Sequence, residues 1–168
     1  MSCLLEKELP FSWTLLQTDD LPLDFSMNHI AYSLIDQNEE LTSSKGNEID
    51  SELQRIENKV DLALQMLCQM MQASSELPVK AVIQLGADEI AWYYPDAIAE
   101  QRYQVALYLS EDQCLPIKML VRVIKIESGW CYAKIEQQRA DEQSAWERWV
   151  FRQHRRDIAM SRTQTSHI

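Results

Sequence analysis

The stretch PIKMLVRVIKIESGWCYAKIEQ, Pro116–Gln137, carries two runs rich in Val, Ile, Trp and Tyr, and Ser128-Gly129 lies between them. Apolar and β-branched runs separated by a short polar-glycine pair read as two strands joined at a hairpin tip. Upstream, VKAVIQLGADEIAWYYP (Val79–Pro95) and QRYQVALYLSE (Gln101–Glu111) have the same character and are bounded by Asp, Glu, Pro and Gly. Consecutive short strands with tight connections predict an antiparallel sheet or small barrel over 79–136. Downstream, RADEQSAWERWVFRQHRRDIA (Arg139–Ala159) returns to helical spacing, with Ala145, Trp149, Arg152 and Arg156 on one side and Trp146, Val150 and His154 on another. A C-terminal helix over 139–159 is expected, followed by a polar tail, 160–168.

Before the strands lies the strongest periodic signal of the chain. In IDSELQRIENKVDLALQMLCQMM, the residues Ile49, Leu53, Ile56, Val60, Ala63, Leu67 and Met70 follow one another at alternating spacings of four and three. That is a heptad seam, expected on a long helix over 47–73 of about 39 Å at 1.5 Å per residue. Polar neighbours in the first half leave a single seam, whereas Leu62, Leu64, Met66 and Met71 widen the apolar surface in the second. Self-association is favoured over an amphipathic helix lying on its own sheet. Leu at most a positions with Ile at d positions leans towards trimers or tetramers. Further upstream, FSMNHIAYSLIDQNEEL predicts a helix over 25–41, and LPFSWTLLQ, 9–17, suits a first strand. The fold class is α+β.

Composition narrows the function. The 168 residues carry 26 Asp plus Glu against 16 Lys plus Arg, a formal net charge of -10. Such a surface repels polyphosphate over most of its area, so nucleic acid is not an expected partner. With three glycines the chain holds no glycine-rich phosphate loop of either common type. Cys3, Cys68, Cys114 and Cys131 lack metal-ligand spacing, and His29, His154 and His167 are scattered, so no metal site is expected. No apolar run spans a bilayer and no leader is evident, which predicts a cytoplasmic protein with reduced thiols and no membrane insertion. No nucleophile or base has a catalytic context, and an enzyme is not expected.

WERWVFRQHRR, Trp146–Arg156, places four arginines in this acidic chain. A strand-rich segment whose last hairpin runs directly into a helix ending WVFRQHRRDIA resembles the PilZ family, bacterial domains associated with the second messenger cyclic di-GMP. The long inserted heptad helix is similar to that of the family's atypical tetrameric subgroup, in which it assembles subunits through a parallel bundle. The resemblance implies a small antiparallel β-barrel with a C-terminal helix, a homotetramer joined by the heptad seam, and a signalling partner whose identity the sequence does not give.

The resemblance also implies two ligand motifs. The first, Arg-x-x-x-Arg just before the barrel, is missing: no arginine precedes Leu9, and before Val79 only Arg55 occurs, on the heptad helix. The second, Asp or Asn, x, Ser, x, x, Gly, corresponds to QLGADE, where Gln84, Gly86 and Glu89 replace its three defining residues. Glu89 adds a carboxylate where two phosphates would sit. No cofactor is therefore expected, and the reading is a non-enzymatic oligomeric adaptor with degenerate ligand motifs. The alternative is a cyclic di-GMP receptor with a displaced site built from Arg102, Arg122, Arg152 and Arg156. The basic cluster itself is expected to stabilise the helix's C-terminal end through its dipole, with Trp149 and Phe151 packing on the barrel.

Overall fold

The computed structural model describes residues 4–17, 25–41, 51–74, 76–110, 113–136 and 138–165. Nine elements follow in order: β1 (Leu5–Leu15), α1 (Asn28–Leu41), α2 (Ser51–Ser74), β2 (Lys80–Leu85), β3 (Glu89–Tyr93), β4 (Arg102–Leu107), β5 (Ile117–Glu127), β6 (Trp130–Glu136) and α3 (Ala140–Thr165). The six strands close into an antiparallel barrel in the order β1-β2-β3-β6-β5-β4. This is the barrel with a C-terminal helix that the hairpin at Ser128-Gly129 anticipated.

Closure depends on β1. Its first half, Leu5 to Pro10, pairs with β2 from Leu85 back to Lys80. Its second half, Phe11 to Leu15, pairs with β4 from Leu107 back to Tyr103. The exchange of partners falls at Pro10, which has no amide proton to give to a ladder, and whose carbonyl accepts from the Tyr108 amide at 3.1 Å. One strand therefore bridges two others, and no edge is left open. The strand begins earlier than the apolar run at Leu9 suggested, because Glu6 and Glu8 take the solvent-facing positions of the pleat.

The side chains that point inward form the core. Ile83, Leu85, Ile90, Trp92, Val105, Leu107, Ile117, Met119, Val121, Val123, Cys131 and Ala133 are all buried, and most alternate with exposed or half-exposed neighbours, although Ala91 and Leu120 between them are buried as well. Each large aliphatic member contributes about 1.5–3 kcal/mol relative to exposure. Phe11, Trp13, Trp92, Tyr94 and Tyr103 form a connected set of ring contacts with centroids 5.4–6.2 Å apart. At the β5-β6 turn, Ser128 and Gly129 both have positive φ, 53° and 82°. Two left-handed central residues match the right-handed twist of a tight hairpin.

Asn28 fastens the start of α1 to β5. The Asn28 carboxamide donates to the Lys118 carbonyl at 2.7 Å and accepts from the Lys118 amide at 2.9 Å. It pairs with β5 as a further strand would, beyond the Leu120–Glu136 pairing at which β6 stops. A third bond runs from the Asn28 carboxamide to the buried Glu142 carboxylate at the start of α3, at 3.4 Å. Ala31 and Tyr32 on the same face of α1 are buried with the core.

Two expectations need correction. α3 continues to Thr165, so Arg152 and Arg156 lie more than two turns before its end, out of reach of a dipole effect confined to the last turn. The thiols are not all reduced: Cys68 of α2 and Cys114, between β4 and β5, are joined by a disulfide with their Cα atoms 5.0 Å apart. Their 46-residue separation carries no sequence signature of pairing. Cys131 is a free thiol buried in the barrel, and no helix among the described residues is long and apolar enough to cross a membrane.

Candidate functional site

The turn between β2 and β3, residues 86–88, is where the sequence places the degenerate ligand motif. The Gly86 amide donates to the Glu89 carbonyl at 2.7 Å and closes it. Gln84, Gly86 and Glu89 thus come together at one end of the barrel. Gln84 stands opposite Glu6 of β1 and donates to its carboxylate at 3.4 Å. Glu89 stands opposite Lys134 of β6. Glu6, Asp88 and Glu89 make the surroundings of the turn acidic, unsuited to a dianionic ligand.

One side of the turn is covered by α3. The Trp146 indole of α3 donates to the Gly86 carbonyl at 2.9 Å, and Trp146 is fully buried. Trp149 stacks on it with centroids 5.6 Å apart and ring planes 19° from parallel. A Cβ at position 86 would lie 2.9 Å from Leu4 Cδ2 and 3.3 Å from the Glu89 carbonyl oxygen, so even a serine there must displace Leu4. The fit explains a glycine where the typical motif has serine. Trp146 was assigned to the helix face in sequence but not to the turn. An aromatic residue at helical spacing signals burial, and nothing in the spacing says against what.

Farther along α3, Asp157 accepts from Lys7 of β1 at 2.9 Å, so the helix is held to the barrel near both ends of the basic cluster. Arg152 is half-buried, whereas Arg148, Arg155 and Arg156 are exposed. Phe151 does not pack on the barrel as expected; it is 63% exposed, with the Arg155 guanidinium 5.9 Å from its ring centroid. At 100° per residue, the buried stripe of Glu142, Trp146, Trp149 and Val150 points away from it. Arg102 and Arg122 are opposite one another on β4 and β5, on the outer wall, and both are committed to Glu136, at 2.9 and 2.8 Å. Arg122 also meets Glu100 at 3.4 Å. Among the described residues no group of His, Cys, Asp and Glu is placed to hold a metal ion.

The second candidate surface is α2. Leu53, Ile56, Val60, Leu67 and Met70 are 52–68% exposed, and Ala63 is exposed with them. Ile49 lies outside the described residues. Leu62, Met66 and Met71 are exposed as well. The barrel of the same chain therefore does not cover this apolar face, as an amphipathic helix lying on its own sheet would require.

A family model described as an atypical PilZ domain, cyclic di-GMP receptor, matches residues 31–163. Among solved structures, a pathogenic protein from Xanthomonas campestris, described as a tetrameric PilZ domain self-assembled through a helical bundle, is similar in fold. It superposes with a TM-score of 0.78 at 21% identity, covering 94% of this chain and 91% of its own. No curated protein sequence matches.

Proposed function

The chain belongs to the atypical PilZ family, and from that premise we propose that it is a non-enzymatic, oligomeric adaptor of bacterial cyclic di-GMP signalling that works through protein contacts in the cytoplasm. The observation that carries this reading is the bond from the Trp146 indole to the Gly86 carbonyl. A ligand turn whose backbone acceptor is taken by a buried tryptophan offers no approach to a dinucleotide, and Glu6 and Glu89 oppose its phosphates.

The oligomer in this proposal is a homotetramer joined by α2. Its support is the exposed apolar row Leu53, Ile56, Val60, Ala63, Leu67 and Met70, whose heptad spacing suits packing of several copies. The structural relative, itself described as a tetramer formed by a helical bundle, adds to that support.

Calorimetric titration of the purified protein with cyclic di-GMP, at low and at physiological salt, tests the reading. The expected outcome is no heat and no thermal stabilisation at high ligand concentration. Saturable binding would replace the adaptor with a receptor, and alanine substitution of Arg148, Arg152, Arg155 and Arg156 in turn would then locate its site.

A further inference from the structure

Cys68 and Cys114 hold together two parts of the chain that otherwise share little. Among the described side chains in the second half of α2, from Leu62 to Met71, only Leu64 and Cys68 are half-buried, one helical turn apart, and the rest are exposed. This is the side of the helix that meets the barrel. Cys114 is anchored on the other side of the bond. The neighbouring Gln113 is buried, accepts from the Leu109 amide at 2.6 Å and donates to the Leu115 carbonyl. The disulfide thus joins Cys114 to α2, whose other described side chains from Leu62 to Met71, Leu64 apart, are exposed.

We propose that the Cys68–Cys114 pair is a redox-sensitive clamp that fixes α2 on the barrel when oxidised and releases it when reduced. On a helix with about 100° between successive residues, Cys68 lies roughly a quarter turn from the seam residue Leu67. The bond consequently sets which way the seam faces relative to the barrel. That consequence for assembly rests on the tetramer reading above; the clamp itself does not. Both cysteines are partly accessible, so a thiol reductant such as glutathione can reach the bond. One thiolate attacks one sulfur, which releases the other cysteine and leaves a mixed disulfide, and a second reductant thiol then displaces the remaining cysteine. Two electrons and two protons pass to Cys68 and Cys114, and the two reductant thiols leave joined as a disulfide. In a reducing compartment a bond of this kind is transient and reports redox state, whereas a permanent staple belongs to oxidising ones.

The test uses the full chain, prepared without reductant and equilibrated against glutathione buffers from fully reduced to fully oxidised. Alkylation with peptide mapping scores the bond, distinguishing Cys68 and Cys114 from Cys3 and Cys131, and hydrogen exchange scores α2. The expected result is a bond that opens within the glutathione range, with amide exchange across 51–74 at least tenfold faster on reduction while β3 to β6 are unchanged. Cys68→Ser should show the fast exchange without reductant. Absence of a Cys68–Cys114 peptide, a bond that persists in every buffer, or equal α2 exchange in both states would each overturn the clamp. Repeating the exchange in Ile56→Lys/Val60→Lys separates the two readings. If the seam does not join copies, that variant keeps the wild-type sedimentation, and the clamp is still scored by α2 exchange.

Discussion

At the scale of single residues, a few polar contacts place the helices, and Trp146 is the clearest of them. Its indole is the donor that the Gly86 carbonyl, closed off from solvent, is given. Trp146→Phe keeps an aromatic ring but leaves that acceptor unsatisfied and some volume unfilled. A loss of at least about 2 kcal/mol is expected from the urea midpoint; an unchanged midpoint would mean that α3 is held by packing alone. Cys131 gives a pH-dependent expectation. Burial pushes its thiol up to about 11, from 9.0. The folded state therefore holds this proton more tightly than the unfolded chain, so the contribution is complete below pH 9 and is lost as pH rises towards 11. Burial raises Tyr32, Tyr103 and Tyr108 in the same direction from a higher starting value. Melting temperature should fall between pH 9 and 11, and Cys131→Ala, though less stable throughout, should fall less steeply over the lower half of that window. Asn28, whose carboxamide completes the end of β5, was read in sequence only as part of a helix. A lone asparagine has no periodicity from which its partner can be inferred.

At the scale of elements, the antiparallel barrel and the C-terminal helix were anticipated by the sequence pattern, while the ends of β1 and α3 followed tertiary contacts. α3 runs beyond the apolar pattern, past the Asp157–Lys7 ion pair, so the basic cluster sits within a helix rather than at its end. The apolar row on α2 is a matter of spacing, which can be read whatever the helix packs against. What covers it is not, since a sequence pattern marks an apolar face without naming its partner. Ile56→Lys with Val60→Lys would put two charges per copy into the proposed seam, where burial without partners is costly. A folded monomer is expected by sedimentation velocity, with the barrel's melting transition retained; an unchanged mass would remove α2 as the contact between copies.

For the whole molecule, the question is whether a barrel of this family keeps the ligand chemistry of typical members. Restoring the turn alone, with Gln84→Asp, Gly86→Ser and Glu89→Gly, is expected not to create submicromolar affinity for cyclic di-GMP by calorimetry. Leu4 must move to admit the serine, and Trp146 still occupies the Gly86 carbonyl. Submicromolar binding would show that the turn chemistry alone decides. By itself the sequence determined the strand-rich half with its hairpin at Ser128-Gly129, the C-terminal helix and the apolar spacing along α2. All of these are local, because they depend on the order of neighbouring side chains and on backbone preference. Only the tertiary structure decided that β1 bridges β2 and β4 to close the barrel, that Asn28 pairs with Lys118, that Trp146 seals the turn, and that Cys68 meets Cys114. Each of these joins residues far apart in the chain through directional bonds, and no spacing within a single segment records where a distant donor, acceptor or thiol will come to rest.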